Sequence, residues 1–374
     1  MKILILSDSD SPHTLKWIRS LVEHNLEIGL FSIHTSNLHL YSDLKNITIY
    51  DADISRKYQE RSESNLSKLI YLRSFLKLKK VIKKFKPDIV HSHYASSYGL
   101  LGSLTNFHPY IISAWGSDVF KFPNYSVIHK NILKFNLYRA DEILSTSYAL
   151  RKETNKYTKK NILITSFGVD TEKFKPLNKE VFTDKNEIVI GTIKTLEENY
   201  GIEYLIRGFK ILEDEIPNQQ LKLLLVGKGT QENYLKSLVS KLNIKSKIEF
   251  AGYINPDLVP QYHNMIDISV FPSIEESFGV AVLEASACCK PVIVSRVGGM
   301  PEVVDENETG FIVEKQNPEA IAKALKKLVD NSVLRSEMGK KGRNKVINEF
   351  NWNDSVKKML SIYNELLSNS EKIS

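Results

Sequence analysis

Short apolar runs alternate along this chain with longer amphipathic segments, and that alternation restricts the fold more than any other property of the sequence. A strand that reads apolar throughout must be covered on both faces. A helical segment after each such strand returns the chain for a parallel neighbour. The spacing predicts strands over residues 3–6, 28–33, 89–91, 110–113, 142–144 and 162–165, with helices over 14–23, 66–85, 98–105 and 128–139. The theme repeats with strands over 187–193, 221–226, 248–250, 268–270 and 291–294, and helices over 202–212, 231–242, 280–287 and 318–329. The expected fold class is α/β, with two doubly wound parallel sheets, each of the Rossmann-like kind.

Two sheets need two cores, and 374 residues suffice for them. The changeover falls at residues 168–177, where Phe167-Gly168-Val169-Asp170 precedes Phe174-Lys175-Pro176 and a polar stretch to Asn186. The expected division is an amino-terminal domain over 1–170, a carboxy-terminal domain over 171–350, and a closing helix over 351–374.

Several classes of protein fit poorly. No apolar run reaches the roughly 18 residues that suggest a membrane span. The opening Met1-Lys2-Ile3-Leu4-Ile5-Leu6-Ser7-Asp8 is too short and too soon acidic for a signal peptide and reads as a buried strand. The two cysteines, Cys288 and Cys289, are adjacent and give neither a disulfide framework nor metal-ligand spacing, so a reducing cytoplasm is the expected setting. The net charge of +7 arises from the first half of the chain, which places an anionic partner there: membrane surface, phosphorylated lipid or nucleic acid.

The richest stretch chemically runs from Phe271-Pro272-Ser273 through Glu275-Glu276-Ser277-Phe278-Gly279-Val280 to Glu284. A strand ends, a loop carries acids, and a helix begins near Phe278. Amides of Phe278, Gly279 and Val280 at such a helix start suit a diphosphate. Glu284, inside the helix, suits a ribose diol, and Glu276 before it suits sugar hydroxyls, because each carboxylate accepts two strong bonds. Taken alone, two glutamates at this spacing read rather as a solvated surface loop.

Their surroundings carry more. Glu276 and Glu284 are followed by Pro291-Val292-Ile293, Gly298-Gly299-Met300-Pro301-Glu302 and Gly310-Phe311. With Phe167-Gly168-Val169-Asp170, the Gly227-Lys228-Gly229 turn and the Trp352 helix, this block resembles glycosyltransferase family 4 (glycosyl transferases group 1), of the GT-B fold. The resemblance implies two Rossmann-like domains facing a cleft, with the closing helix packed back across to the first. It implies a retaining, metal-independent transfer from a nucleotide sugar, UDP-sugar favoured, to a glycan or lipid-linked acceptor in cell-surface polysaccharide or glycoconjugate synthesis. By position, Glu276 would hold the transferred sugar and Glu284 the ribose, with Ser277, Phe278, Gly279, Val280, Gly227 and Lys228 around the donor. Lys194 matches the first cation of the family's phosphate clamp; Asn199 stands where a second lysine is expected. No cofactor is expected.

The first half departs more from that family. Its loop Ser7-Asp8-Ser9-Asp10-Ser11-Pro12-His13-Thr14 has none of the glycines many relatives carry. Asp8-Ser9-Asp10 imitates an Asp-x-Asp metal motif, a reading we set aside because the donor features lie in the other half; no metal site is expected. Asp10 and His13 are candidates for acceptor contact or for capping the first helix. His91-Ser92-His93 is expected to line the cleft rather than bind metal, His93 being the candidate contact. In Trp115-Gly116-Ser117-Asp118, Asp118 is kept but Trp115 replaces the histidine common in relatives, so the resemblance implies that it shapes the sugar pocket or stacks on the sugar.

Leu66–Phe85 carries Arg73, Lys77, Lys80 and Lys84 on one helical face, with no acid between Ser64 and Lys86. It is expected to serve as a crossover helix and to rest on an anionic membrane, giving a cytoplasmic protein peripheral to the inner face of the cell membrane. Two other functions compete: a nucleotide-sugar 2-epimerase of the same architecture, and a basic nucleic-acid-binding protein. The latter lacks aromatics interleaved on a basic strand face, so no nucleic acid is expected.

Overall fold

The computed structural model describes residues 1–54, 66–177, 187–244 and 246–371. The polar stretch expected at the changeover, up to Asn186, lies largely outside the described residues, as do the side chains of Lys68 and Leu69. The chain divides into two compact units, one made of Met1–Thr165 with Val356–Ser374, the other of Ser166–Ser355.

The amino-terminal unit is built on β1 (Lys2–Leu6), α1 (Pro12–Glu23), β2 (Glu27–His34), β3 (Ile47–Ile54), α2 (Leu66–Phe85), β4 (Ile89–His93) and α3 (Ser97–Thr105). It continues with β5 (Tyr110–Ala114), α4 (Ser117–Phe120), α5 (Val127–Arg139), β6 (Glu142–Ser145), α6 (Tyr148–Thr154) and β7 (Ile162–Ile164). The strands form one parallel sheet in the order β3-β2-β1-β4-β5-β6-β7. Ile3, Leu4, Ile5 and Leu6 are wholly buried, as the unbroken apolar run of a central parallel strand requires.

The carboxy-terminal unit holds β8 (Ile188–Ile193), α7 (Ile202–Glu215), β9 (Leu221–Val226), α8 (Glu232–Lys241), β10 (Lys247–Gly252), α9 (Val259–Met265) and β11 (Ile268–Phe271). After these come α10 (Val280–Ala287), β12 (Val292–Ser295), α11 (Met300–Val303), β13 (Gly310–Val313), α12 (Pro318–Val329) and α13 (Ser332–Glu349), and the chain closes with α14 (Trp352–Glu371), which from Val356 onward belongs to the amino-terminal unit. Its parallel sheet runs β10-β9-β8-β11-β12-β13. Ile202, Leu205, Ile206, Phe209 and Leu212 of α7 recur at three- and four-residue spacing and pack with Ile321, Leu325 and Leu328 of α12 on the sheet.

The expected α/β class with two doubly wound parallel sheets is what the chain forms. Strands β3 and β13 and helices α4, α6, α9, α11 and α13 go beyond the sequence reading. Strand β3 is an edge strand, half exposed, so its run is diluted by Thr48, Tyr50 and Asp51. Helix α13 has few apolar residues and two glycines, and its periodicity is correspondingly faint.

Candidate active site

Each sheet reverses its strand order once, between β1 and β4 and between β8 and β11. Loops leaving the carboxyl ends of two strands that diverge in this way open a crevice, and ligands of such sheets bind there. Lys194 follows β8 and Glu276 follows β11, so the two residues singled out as catalytic candidates flank the carboxy-terminal reversal.

Main-chain bonds fix both. Lys194 N–H donates to Val226 O at 2.9 Å, Leu196 N–H to Lys228 O at 3.0 Å and Gln231 N–H to Leu196 O at 2.9 Å, zipping the loop after β8 to the loop after β9. Glu197 reinforces the seam by accepting from Thr230 N–H at 2.9 Å. Gly227 sits where a Cβ would lie 2.0 Å from Lys194 O, at φ +137°, so only glycine lets these loops meet. The acidic loop is held in turn by Asn199, whose carbonyl accepts from Ile274 N–H at 2.8 Å and Glu275 N–H at 3.2 Å. Gly298, at φ +48°, lies against the Glu276 carbonyl, where a Cβ would come within 1.6 Å.

Across this frame Lys194 Nζ and Glu276 Oε2 form an ion pair at 2.6 Å, their side chains only 16% and 12% exposed. The ammonium also lies over the Tyr200 ring, 4.3 Å from its centroid. Burial acts to lower the Lys194 pKa. The attraction of Glu276, Tyr200 and Glu284 outweighs it, and the lysine is held charged above its ordinary range. Asn199, at the place of the expected second cation, thus works through its backbone, while the neighbouring tyrosine supports the lysine that remains. Tyr200 was not legible as a site residue, since nothing in its spacing distinguishes it from a core aromatic.

Helix α10 begins at Val280, two residues after Phe278, with Gly279 as its N-cap. Phe278 is buried against Phe350, ring centroids 5.8 Å apart, and anchors the helix start. Glu284, on the same helix, is 23% exposed and faces His263 of α9 at 3.6 Å. Ser277 and Val280 are half-buried and Gly279 is buried, whereas Lys228 is exposed.

At the β1–β4 reversal the residues are of another kind. His93 is buried with its ring 4.4 Å from that of Trp115 at 33°, and His13 meets Trp115 edge-on at 5.9 Å. One face of Trp115 is therefore covered by His93. His91 lies inward, bonded to Tyr363 Oη and Ser113 Oγ at 2.8 Å each. Burial drives the His91 pKa down to about 3 and that of His93 well below its usual value, the latter also by the nearness of His91 and His13. Both imidazoles are neutral at physiological pH. Asp118 accepts from the amides of Ala95 at 2.6 Å, Gly116 at 2.7 Å and Trp115 at 3.2 Å, tying the loops after β4 and β5 together. Burial raises its pKa against the pull of those amides. Asp10 accepts from Asn37 N–H at 3.3 Å, and the cap of α1 is Ser11.

Comparison with known proteins agrees with this architecture. Residues 173–345 match the family described as Glycosyl transferases group 1, and residues 2–147 match Glycosyl transferase 4-like. The capsular polysaccharide biosynthesis glycosyltransferase CapM of Staphylococcus aureus is 30% identical over 349 residues, 88% of this chain and 90% of CapM. Among solved structures, sucrose-phosphate synthase from Thermosynechococcus elongatus superposes with a TM-score of 0.83 at 20% identity, covering 99% of this chain and 100% of that one. Anabaena HepE, solved in complex with UDP, superposes at 0.81 with 16% identity, covering 98% and 100%. These relationships do not favour the epimerase or nucleic-acid alternatives. The chain belongs to the group 1 glycosyltransferases, family 4, and has the GT-B fold.

Proposed function

We propose that this enzyme transfers a sugar, with retention of anomeric configuration and without a metal ion, from a nucleoside diphosphate sugar bound by its carboxy-terminal unit. The observation that carries the reading is the Lys194–Glu276 pair at the β8–β11 reversal, beside the start of α10. A lone buried glutamate would repel a diphosphate. Paired with Lys194 it is neutralised, and its free lone pairs remain available to sugar hydroxyls. Lys194 and the amides of Phe278, Gly279 and Val280 take the charge of the leaving diphosphate. Glu284 takes the ribose, and Ser277, Gly227 and Lys228 border the donor. A uridine donor is favoured, in keeping with the UDP and UDP-glucose complexes of HepE.

The acceptor, a glycan or lipid-linked glycan of a cell-surface polysaccharide or glycoconjugate, falls to the amino-terminal unit through Asp10, His13, His93, Trp115 and the loops that Asp118 ties. Its hydroxyl oxygen bonds to the anomeric carbon from the side the diphosphate leaves, and its proton passes to the departing diphosphate oxygen. The protein orients the reactants and stabilises charge. No helix among the described residues is long and apolar enough to cross a membrane. Contact with an anionic bilayer is assigned to α2, where Leu72 and Leu76 are more than half exposed among Arg73, Lys79, Lys80, Lys83 and Lys84. The exposed Tyr125, Val127, Ile128, Phe135 and Tyr138 of α5 and the turn before it, interspersed with Lys130 and Lys134, extend this character.

Turnover of UDP-sugars and GDP-sugars by Lys194→Ala and Glu276→Ala tests the site. Each variant is expected to lose about a hundredfold or more, the scale of losing one preorganised charge-stabilising group. Activity within threefold of wild type in both would overturn the assignment.

A further inference from the structure

Behind Glu284 lies a group the reaction scheme above leaves unused. His263 is wholly buried on α9, and neither ring nitrogen has a hydrogen-bond partner. Buried polar atoms are almost always paired, so an imidazole with two orphaned nitrogens calls for a reason. Its Nε2 faces Glu284 Oε2 at 3.6 Å, too long for a hydrogen bond and short enough that a shift of under about 1 Å would make one. The ring has little freedom of its own. Phe174 meets it edge-on with centroids 6.0 Å apart. The next residue, Asn264, is bound four ways: its side chain accepts from Leu177 N–H at 2.7 Å and donates to Lys175 O at 3.0 Å and Pro260 O at 2.8 Å, and its carbonyl accepts from Lys290 Nζ at 2.9 Å.

We infer that His263 is a positioning residue for the donor: its Nε2–H closes onto the Glu284 carboxylate when that carboxylate engages the ribose diol. In the free enzyme the orphaned N–H is a standing cost. Donor binding satisfies it, so the same bond that orients Glu284 also adds to nucleotide affinity. A carboxylate held by an imidazole N–H presents its remaining lone pairs in one direction, which a freely rotating side chain does not. This inference rests on Glu284 being the ribose ligand and goes beyond it by naming what aims it.

Calorimetric titration of the full chain with UDP and with GDP, continued with whichever binds wild type more tightly, separates the two ideas. His263→Phe is expected to weaken the nucleotide about tenfold or more, as loss of a supporting partner commonly does. His263→Gln, whose amide N–H reaches the place of Nε2, is expected to stay within about threefold, whereas His263→Asn, too short, should behave like the phenylalanine variant. In a Glu284→Ala background, and with the 2′,3′-dideoxy nucleotide, His263→Phe should have no further effect. Tight binding by His263→Phe or His263→Asn with weak binding by Glu284→Ala overturns the inference and spares the ribose assignment. Equal losses in His263→Gln and His263→Phe that add to that of Glu284→Ala mean a packing role and also overturn it. Unchanged binding in Glu284→Ala removes the ribose assignment itself, and the inference with it. If His263→Phe melts below the working temperature, the glutamine–asparagine pair decides.

Discussion

The two units offer one scaffold twice and furnish it in opposite ways. Both are parallel sheets whose order reverses once, and in both, candidate residues lie at or after the carboxyl ends of strands at or beside that reversal. The carboxy-terminal reversal keeps full charges, Lys194 against Glu276 with Glu284 close by. The amino-terminal reversal has the neutral imidazole of His93 packed on Trp115, with the neutral His91 behind it, and the buried Asp118 bound to three backbone amides. Charge survives burial only when paired, and an unpaired imidazole gives up its proton instead. The fold thus supplies a place, and the loop residues decide whether it suits a diphosphate or an uncharged, hydroxyl-bearing partner.

If the neutral character of the amino-terminal site is structural, its acid should matter chiefly to stability. Asp118→Ala leaves three amides without their acceptor and is expected to cost about 3 to 5 kcal/mol, enough to melt the amino-terminal unit well before the other. Asp118→Asn, retaining one oxygen, should lose less. Thermal unfolding followed by circular dichroism measures both, and equal stability of Asp118→Ala and wild type would contradict the clamp. The matching change in the other unit should strike activity. Gly298→Val drives a side chain into the Glu276 carbonyl, and we expect donor turnover to fall about a hundredfold, since strain of 1–3 kcal/mol must be relieved by moving the acidic loop. A melting temperature that drops with turnover intact would show that the loop adapts.

The contrast in charge also has a pH signature. His91 is held neutral by burial down to about pH 3, while in the unfolded chain it takes up a proton near its ordinary value. Its contribution to stability is whole above about pH 6.5 and is lost as pH falls toward 3, with a slope of up to about 1.4 kcal/mol per unit. Urea unfolding between neutral pH and pH 4.5 should show that slope, and His91→Gln should flatten it by close to one proton. An unchanged slope would mean that other groups carry the acid sensitivity.

How much of this was legible beforehand follows from where each signal resides. Central strands such as β1 and β9 are apolar runs and declare themselves. The half-exposed β3 and the glycine-bearing α13 do not, because packing rather than periodicity fixes them. In the site, Glu276 and Glu284 stood out only through the surrounding block that resembles the family, since alone they read as a solvated loop, and Lys194 only by its match to the family's phosphate clamp. His263 and Tyr200 did not, since a histidine or tyrosine inside an apolar stretch reads as core. Their meaning lies in contacts across 21 and 6 residues of sequence, which no local pattern encodes. Asn199 illustrates the reverse case: the sequence marks a missing cation, whereas the structure gives the residue a backbone task.

Tyr200 yields the smallest expected effect and the sharpest view of how the charged site is kept. Its ring lies 4.3 Å from the Lys194 ammonium, and Glu276 together with Tyr200 offsets the burial that would otherwise favour the neutral amine. Such a contact contributes about 0.5 to 2 kcal/mol. Tyr200→Phe keeps the ring and should leave donor turnover near wild type. Tyr200→Leu keeps the bulk but loses the quadrupole, and turnover should fall about three- to tenfold, within that energy range. The loss should be greatest at alkaline pH, because the lysine is then nearer to shedding its proton. A Phe variant as impaired as Leu would point instead to the phenolic hydroxyl, and the ring would no longer account for the lysine's charge.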